Sequence, residues 1–214
     1  MNDWDAYYRT RYEFDRRRLV VWQVICEWLQ RQVPRDASVL ELGAGYCEFI
    51  NSIQAARKVA VDISETVRQA AKGDVEAHVG SCTRLDFAAA DSMDVIFASN
   101  LFEHLQLSEV QRTLGEVRRV LKPGGKLLVI QPNFRYSYRD YFDDYTHVTI
   151  FTDRSLSDVI AAAGLEIVKV TPKFIPFSLK SRLPVVPFLI RLYLRSPVRP
   201  FAGQMLIVAR KKGI

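Results

Sequence analysis

Seven short apolar runs punctuate the chain, and the segments between them carry apolar residues at helical spacing. The runs are Val39-Leu40 with Leu42, Val59-Ala60-Val61, Ala77-His78-Val79, Met93 to Asn100, Lys126 to Ile130, Leu165 to Val170 and Gly203 to Ala209. Each is too short for a helix and reads as a strand. Val95-Ile96-Phe97 is unbroken, the pattern of a parallel strand buried on both faces. Helical spacing predicts a helix over 12–32, where Val20, Val24 and Trp28 run beside Val21, Ile25 and Leu29 until Pro34 stops them. A second is predicted over 65–72, capped by Ser64 with Val67, Ala70 and Ala71 inward. A third starts at Ser108, with Val110, Leu114, Val117, Val120 and Leu121 on one face and Glu109 and Arg112 on the other; Pro123-Gly124-Gly125 ends it. A fourth follows Thr152 or Asp153, with Leu156, Val159, Ile160 and Ala163 inward, and closes at Gly164. Phe49, Ile50 and Ile53 predict one more helix, opening near Tyr46.

The first strand carries the most chemistry. It ends in Glu41-Leu42-Gly43-Ala44-Gly45, where the backbone can turn sharply and come close to a ligand. A strand, glycine turn and helix in that order bind nucleotide-like cofactors at the strand's carboxyl end. Glu48 stands where a dinucleotide fingerprint needs its third glycine, which argues against a nicotinamide or flavin dinucleotide. Glu41 sets a negative charge at the mouth of the turn, repelling a pyrophosphate and favouring a cation. Asp62 ends the next strand 21 residues later, a spacing at which a carboxylate accepts both hydroxyls of a ribose. A ribose without phosphate beside a positive charge describes S-adenosylmethionine.

Two further stretches complete a pattern: Phe102-Glu103-His104-Leu105 and Val120-Leu121-Lys122-Pro123-Gly124-Gly125. With Glu41 to Gly45 and Asp62, they resemble the class I S-adenosylmethionine-dependent methyltransferases of the Glu-His-Leu and Leu-Lys-Pro-Gly-Gly subgroup, over residues 36–170 and the last strand. The resemblance implies an α/β fold, a three-layer Rossmann-like sandwich around a seven-stranded, mostly parallel sheet with one antiparallel strand. It implies a transferase with S-adenosylmethionine as cofactor and S-adenosylhomocysteine as product. The implied cofactor residues are Glu41, Gly43, Ala44, Gly45, Asp62, Ile63, Ser81, Cys82, Asn100 and Leu101. Such enzymes often carry an acid where Ser81 stands, so adenine recognition falls to Ser81, a backbone group or Asp86.

Composition fits one globular domain over 1–214: apolar residues make up 49% and charged residues 25%. Met1 to Asp5 does not read as a signal peptide, no run approaches a membrane span, and Cys26, Cys47 and Cys82 have no metal-like spacing. A cytoplasmic chain is the simplest reading. The net charge of +6 is uneven: Lys169 to Ile214 holds ten basic residues and no acid, leaving 20 basic against 24 acidic groups before it. That basic region contains an apolar, proline-broken insertion over 173–202, which suits peripheral contact with the inner surface of a membrane or a lipid-linked substrate; a lid and a homodimer contact are the alternatives.

The acceptor side is read from the loops. The resemblance implies that residues 1–35 form a helical lid, with Tyr8 and Arg11 over the substrate and Tyr7 beside them; aromatic packing at a solvated helix end is the alternative. Pro132 to His147 follows a core strand and lies at the ligand-binding edge, giving Asn133, Arg135, Tyr138 and Tyr145 as substrate contacts. His147, oriented by Asp144, and His104 are the candidate catalytic bases, which points to O-methylation of a small hydroxylated acceptor such as a sugar or a lipid-linked intermediate. His78, His104 and His147 are scattered in the sequence, so no metal is expected. The alternatives are a cofactor-binding module without turnover, or a nucleic-acid or protein methyltransferase. Nucleic acid ranks last, because Asn100-Leu101-Phe102-Glu103 lacks the Pro-Pro-aromatic motif of base amino-group methylation.

Overall fold

The computed structural model describes residues 15–176 and 185–213. Seven strands form one sheet: β1 (Ser38–Leu42), β2 (Arg57–Asp62), β3 (Val75–Val79), β4 (Met93–Ser99), β5 (Leu121–Pro132), β6 (Leu165–Pro176) and β7 (Ala202–Lys211). The helices are α1 (Arg16–Leu29), α2 (Thr66–Ala70), α3 (Leu107–Val120), α4 (Phe134–Ser137), α5 (Asp153–Ala162) and α6 (Pro187–Arg195). The strand order is β3-β2-β1-β4-β5-β7-β6. Pairing from β3 across to β5 is parallel, and β7 runs antiparallel to both its neighbours. The chain runs outward from β1 to β3 and then returns to β4 on β1's other side. Such a reversal opens a crevice at the carboxyl ends of the strands around it.

Alternate residues of the central strands enter two hydrophobic clusters. Val39, Val95, Phe97 and Leu128 join α1 residues in one; Leu40, Leu42, Ile96 and Leu127 join residues of α3 and α5 in the other. This is why the runs read as unbroken: both faces of each strand are covered. In α3, Val110, Leu114, Val117 and Val120 are all fully buried. Each contributes about 1.5–3 kcal/mol of apolar burial, enough to fix which face of the helix turns inward.

Several boundaries differ from the sequence reading. The cap of α3 is Gln106, whose amide donates to Glu109 Oε2 at 2.9 Å, so Ser108 lies within the helix. Pro123-Gly124-Gly125 lies inside β5, as a bulge where Met93 faces Leu121 and Val95 faces Lys126. The expected helix near Tyr46 is a run of turns instead, keeping only Asn51 N to Cys47 O at 3.0 Å and Ile53 N to Phe49 O at 2.9 Å. Two causes are visible: Glu41 Oε2 takes the Ile50 amide at 3.0 Å, and Cys47 sits at a φ of 57°. The amide of Ile50 therefore goes to a side chain, not to the helix ladder.

The expected lid residues Tyr7, Tyr8 and Arg11 lie outside the described residues, as do 177–184 of the insertion. The described parts of the insertion are the end of β6, α6 and the approach to β7.

Candidate functional site

The glycine turn after β1 sits at the centre of a cavity of about 200 Å³. Taken in sheet order, its wall is Gly80, Ser81 and Cys82 after β3, then Asp62 and Ile63 at the end of β2. Glu41 and Gly43 to Gly45 follow at β1, then Ser99, Asn100 and Leu101 at β4, with His104 and Leu105 just beyond. Gly43 has a φ of 64°, and a Cβ added there would lie 2.9 Å from Leu101 Cδ1. The turn therefore favours glycine for its backbone conformation, with the end of the flexible Leu101 side chain adding a smaller steric constraint.

Three carboxylates surround this turn. Asp62 Oδ2 accepts the Gly45 amide and Oδ1 the Ser64 amide, both at 2.8 Å, so one side chain ties the glycine turn to the end of β2. A carboxylate offers about four acceptor positions, and these bonds use two. Glu41 is buried; burial raises its carboxyl well above the usual range, the Ile50 amide opposes this, and Glu48 and Asp62 add to it. Glu48 pairs with Arg18 at 2.8 Å. It thus occupies the missing-glycine position as an anchor for α1.

Helix α1 contributes what the sequence did not reveal. Arg18 and Trp22 both line the cavity, although they precede β1 by some twenty residues. Trp22 packs edge-on against Phe97 at 6.0 Å, and Phe97 stacks on Phe49 at 3.8 Å. The Trp22 indole N–H is buried and has no hydrogen-bond partner among the described residues. Such a donor calls for an acceptor, and a ligand carrying a carboxylate supplies one. Glu109, expected on an outward helix face, also reaches the wall while capping α3.

Beyond β4 the structure brings together residues far apart in sequence. The rings of His104 and His147 lie 4.9 Å apart, and Glu103 joins them, with one ligating atom of each of the three within 4.8 Å of the others. The sequence reading of scattered histidines is corrected here. The cause is backbone pairing across the loop: the amides of Val148 and Thr149 donate to Glu103 O at 2.8 and 3.1 Å. His147 Nδ1 meets Tyr141 O at 2.6 Å, and His104 Nδ1 meets Thr146 Oγ1 at 2.9 Å. Asp144 Oδ1 accepts the Thr146 hydroxyl at 2.6 Å and its amide at 3.0 Å. Burial, then the neighbouring His147, push the His104 imidazole down to about 4. Burial lifts the Glu103 carboxyl to about 8.

All ten expected cofactor residues line the cavity: Glu41, Gly43, Ala44, Gly45, Asp62, Ile63, Ser81, Cys82, Asn100 and Leu101. Asp86 does not, being exposed and paired with Arg84 at 2.8 Å. His104 lines the cavity, and His147 packs behind it. The expected acceptor residues fare differently. Asn133 is fully buried, its amide spent on Asp153 Oδ1 at 3.0 Å and Pro172 O at 3.1 Å, with Oδ1 capping α4. It is a scaffold residue, not a substrate contact. Arg135 turns toward Asp153 at 3.7 Å, and Tyr138 and Tyr145 are exposed away from the cavity wall. His78 stacks on Phe87 at 4.0 Å on the edge strand β3, a packing role.

Residues 40–129 match the model of a methyltransferase-domain family. The chain is 30% identical over 140 residues to the ubiquinone/menaquinone biosynthesis C-methyltransferase UbiE of Cereibacter sphaeroides, covering 56% of this chain and 54% of that protein. It is 37% identical over 98 residues to malonyl-[acyl-carrier protein] O-methyltransferase 1 of Coxiella burnetii, covering 44% and 33%. The chain thus spans about half the length, or less, of these relatives. In fold it is similar to the methyltransferase solved with the Trm112 activator of Haloferax volcanii, with a TM-score of 0.72, 18% identity and 99% of both chains covered. An S-adenosylmethionine-dependent methyltransferase from Thermotoga maritima gives a TM-score of 0.69 at 21% identity, covering 99% of this chain and 100% of that one. Over residues 40–129 the chain is thus similar to methyltransferase domains, and its fold is that of the two solved methyltransferases.

Proposed function

We propose that the chain is a methyltransferase that moves the methyl group of S-adenosylmethionine to the oxygen of a small hydroxylated acceptor, a sugar or a lipid-linked intermediate. The observation that carries this reading is continuity: the wall that begins at Gly80 and Asp62 runs without a break to His104, with His147 against it. In this reading Asp62 holds the ribose hydroxyls, the Gly43 to Gly45 backbone faces the cofactor's middle, and the Trp22 indole N–H meets its carboxylate. The sulfonium supplies an activated methyl group. The protein's part is alignment, which alone can account for much of a displacement rate. An acceptor oxygen must lose its proton as the new bond forms, and this proposal gives that task to His104, on the cavity wall, with His147 packed against it.

The lipid link draws its support from α6. Phe188, Leu189 and Leu192 lie along one stripe and are 68%, 54% and 57% exposed, while Leu194 on the opposite side is buried. Arg191 and Arg195 flank that stripe, and Arg191 also reaches Glu27 on α1 at 2.8 Å. An apolar stripe edged by arginines, in a region with ten cations and no acid, complements an anionic lipid surface. No helix among the described residues is long and apolar enough to cross a membrane, so the contact proposed is peripheral.

The test is methyl transfer itself. The protein is incubated with methyl-labelled S-adenosylmethionine and an extract rich in glycolipids and small metabolites, and products are searched by mass spectrometry for a gained methylene. An O-methylated product supports the reading. Transfer confined to nitrogen or carbon overturns the choice of acceptor, and no transfer despite tight cofactor binding overturns the enzyme.

A further inference from the structure

We propose that Glu103, His104 and His147 form a binding site for a first-row divalent metal ion of the zinc class, at the acceptor edge of the cavity. The proposal rests on the reading above for what the ion does, but not for whether it binds.

Glu103 is the first reason. It is fully buried, and neither carboxylate oxygen has a hydrogen-bond partner among the described residues. A carboxyl in that setting is destabilising unless something compensates it. Among the described residues no lysine or arginine is paired with it, and two imidazoles stand beside it.

The orientation of those imidazoles is the second reason. His147 Nδ1 lies 2.6 Å from a backbone carbonyl oxygen, that of Tyr141, which can only accept. The proton is therefore on Nδ1, and Nε2 keeps its lone pair. His104 is set the same way. Thr146 Oγ1 gives its proton to Asp144 Oδ1 at 2.6 Å, so toward His104 Nδ1, at 2.9 Å, it acts as acceptor. Ligating histidines commonly hold their second nitrogen in this manner, on a backbone carbonyl or through a carboxylate. Here both supports are present, one for each ring.

Geometry is the third. One ligating atom of each residue lies within 4.8 Å of the other two. Around a tetrahedral ion, ligand atoms sit about 3.4 Å apart, so the side chains need close by no more than about 1.4 Å. The loop that carries His147 is held for this by the Val148 and Thr149 amides on Glu103 O. Two nitrogens and one carboxylate oxygen select zinc-like ions over magnesium or calcium, and three protein ligands leave a position open.

His104 lines the cavity, so the open position is next to the place of methyl transfer. An acceptor hydroxyl bound there loses its proton more readily. With the ion in place both imidazoles act through it and not as bases: the acceptor's O–H bond breaks with the proton passing to water, the new C–O bond forms, and the donor's C–S bond breaks with its electron pair left on sulfur.

The test uses the full chain, freed of metal by chelator and dialysis. Cobalt(II) is titrated in as an optical stand-in for zinc, and zinc binding is followed by calorimetry. The expected result is one equivalent bound, with visible absorption of a low-coordinate site. Glu103→Gln and His147→Ala should each weaken binding by at least about tenfold, and Thr146→Val, which keeps all three ligands, by about tenfold. Melting curves and S-adenosylhomocysteine binding identify any variant that fails to fold. No cobalt or zinc uptake by a chain that still binds S-adenosylhomocysteine overturns the site and leaves the proposed function standing. Uptake unchanged in Glu103→Gln, His147→Ala and Thr146→Val places the ion elsewhere and overturns it equally. Uptake lost in the variants, by a chain with no affinity for S-adenosylhomocysteine, supports the site and overturns the proposed function.

Discussion

Asp62 Oδ2 accepts the amide of Gly45 at 2.8 Å, so the carboxylate proposed for the ribose is also a structural strut for the turn that faces the same cofactor. Replacing it should damage two functions together. Asp62→Ala removes the strut and the ribose contact; Asp62→Asn keeps an oxygen for one amide. Charge-assisted hydrogen bonds contribute about 1.5–3 kcal/mol, so Asp62→Ala should weaken S-adenosylhomocysteine binding by at least about tenfold, with Asp62→Asn in between. Calorimetry of the three proteins checks the ranking. Equal affinity in all three would remove Asp62 from the cofactor site.

Gly43→Ala tests the turn from the other side. The new methyl meets Leu101 Cδ1 at 2.9 Å on a backbone already at a φ of 64°. Strain of about 1–3 kcal/mol is expected. The melting temperature should fall and cofactor affinity with it. Gly43→Ala with Leu101→Ala should recover part of the loss, because the steric component is relieved while the backbone component remains.

His147→Ala should lower methyl transfer by two or more orders of magnitude and leave S-adenosylhomocysteine binding within about twofold. His147 packs behind His104 and contributes no part of the cavity wall around the cofactor turn. Single-turnover kinetics with saturating cofactor separates the two effects. Unchanged turnover would remove His147 from the reaction.

Vesicle sedimentation tests α6. The full chain should pellet with anionic vesicles and not with zwitterionic ones, and the bound fraction should fall as salt rises. Phe188→Ser with Leu192→Ser should abolish pelleting without a change in melting temperature, since both side chains are exposed. Pelleting that survives these substitutions would place the contact elsewhere.

Acid stability tests a pairing at the amino ends of the central strands. Asp94 accepts Lys122 Nζ at 2.8 Å and the Ser38 amide at 2.8 Å. Burial alone would raise its carboxyl, but these partners hold it below the ordinary value. A depressed carboxyl stabilises the fold above its unfolded value near 4 and loses that contribution as pH falls through the folded value. Asp94 is partly exposed, so about 1 kcal/mol is at stake. Asp94→Asn should lower stability at pH 7, and the gap to the parent protein should shrink below pH 4.

The strands and the cofactor turn were legible because their determinants are local. Val95-Ile96-Phe97 shows burial on both faces directly, and Gly43 and Gly45 show a turn directly. The helix expected near Tyr46 failed for a reason no window of sequence displays: the Ile50 amide is taken by Glu41, nine residues earlier. Arg18 and Trp22 were missed as cavity residues because their helix reaches the site by packing, with Trp22 against Phe97. His104 and His147 looked unrelated because 42 residues separate them, and bonds between the two loops, the amides of Val148 and Thr149 on Glu103 O and Thr146 Oγ1 on His104 among them, close that distance. Asn133 misled because a polar residue in a loop resembles a ligand contact until its burial and its bonds to Asp153 and Pro172 are seen.

β7 enters the sheet against the direction of its neighbours, so its first residue, Ala202, lies beside the end of β6 at Pro176, on the same rim as the cavity. The described residues between them, 185–201, hang from that rim without interrupting a strand. The excursion is nonetheless tied to the pocket: Leu194 packs in the same core as Trp22, and Arg191 holds Glu27, so a change of its length or sequence would be felt at the helix that carries Arg18 and Trp22.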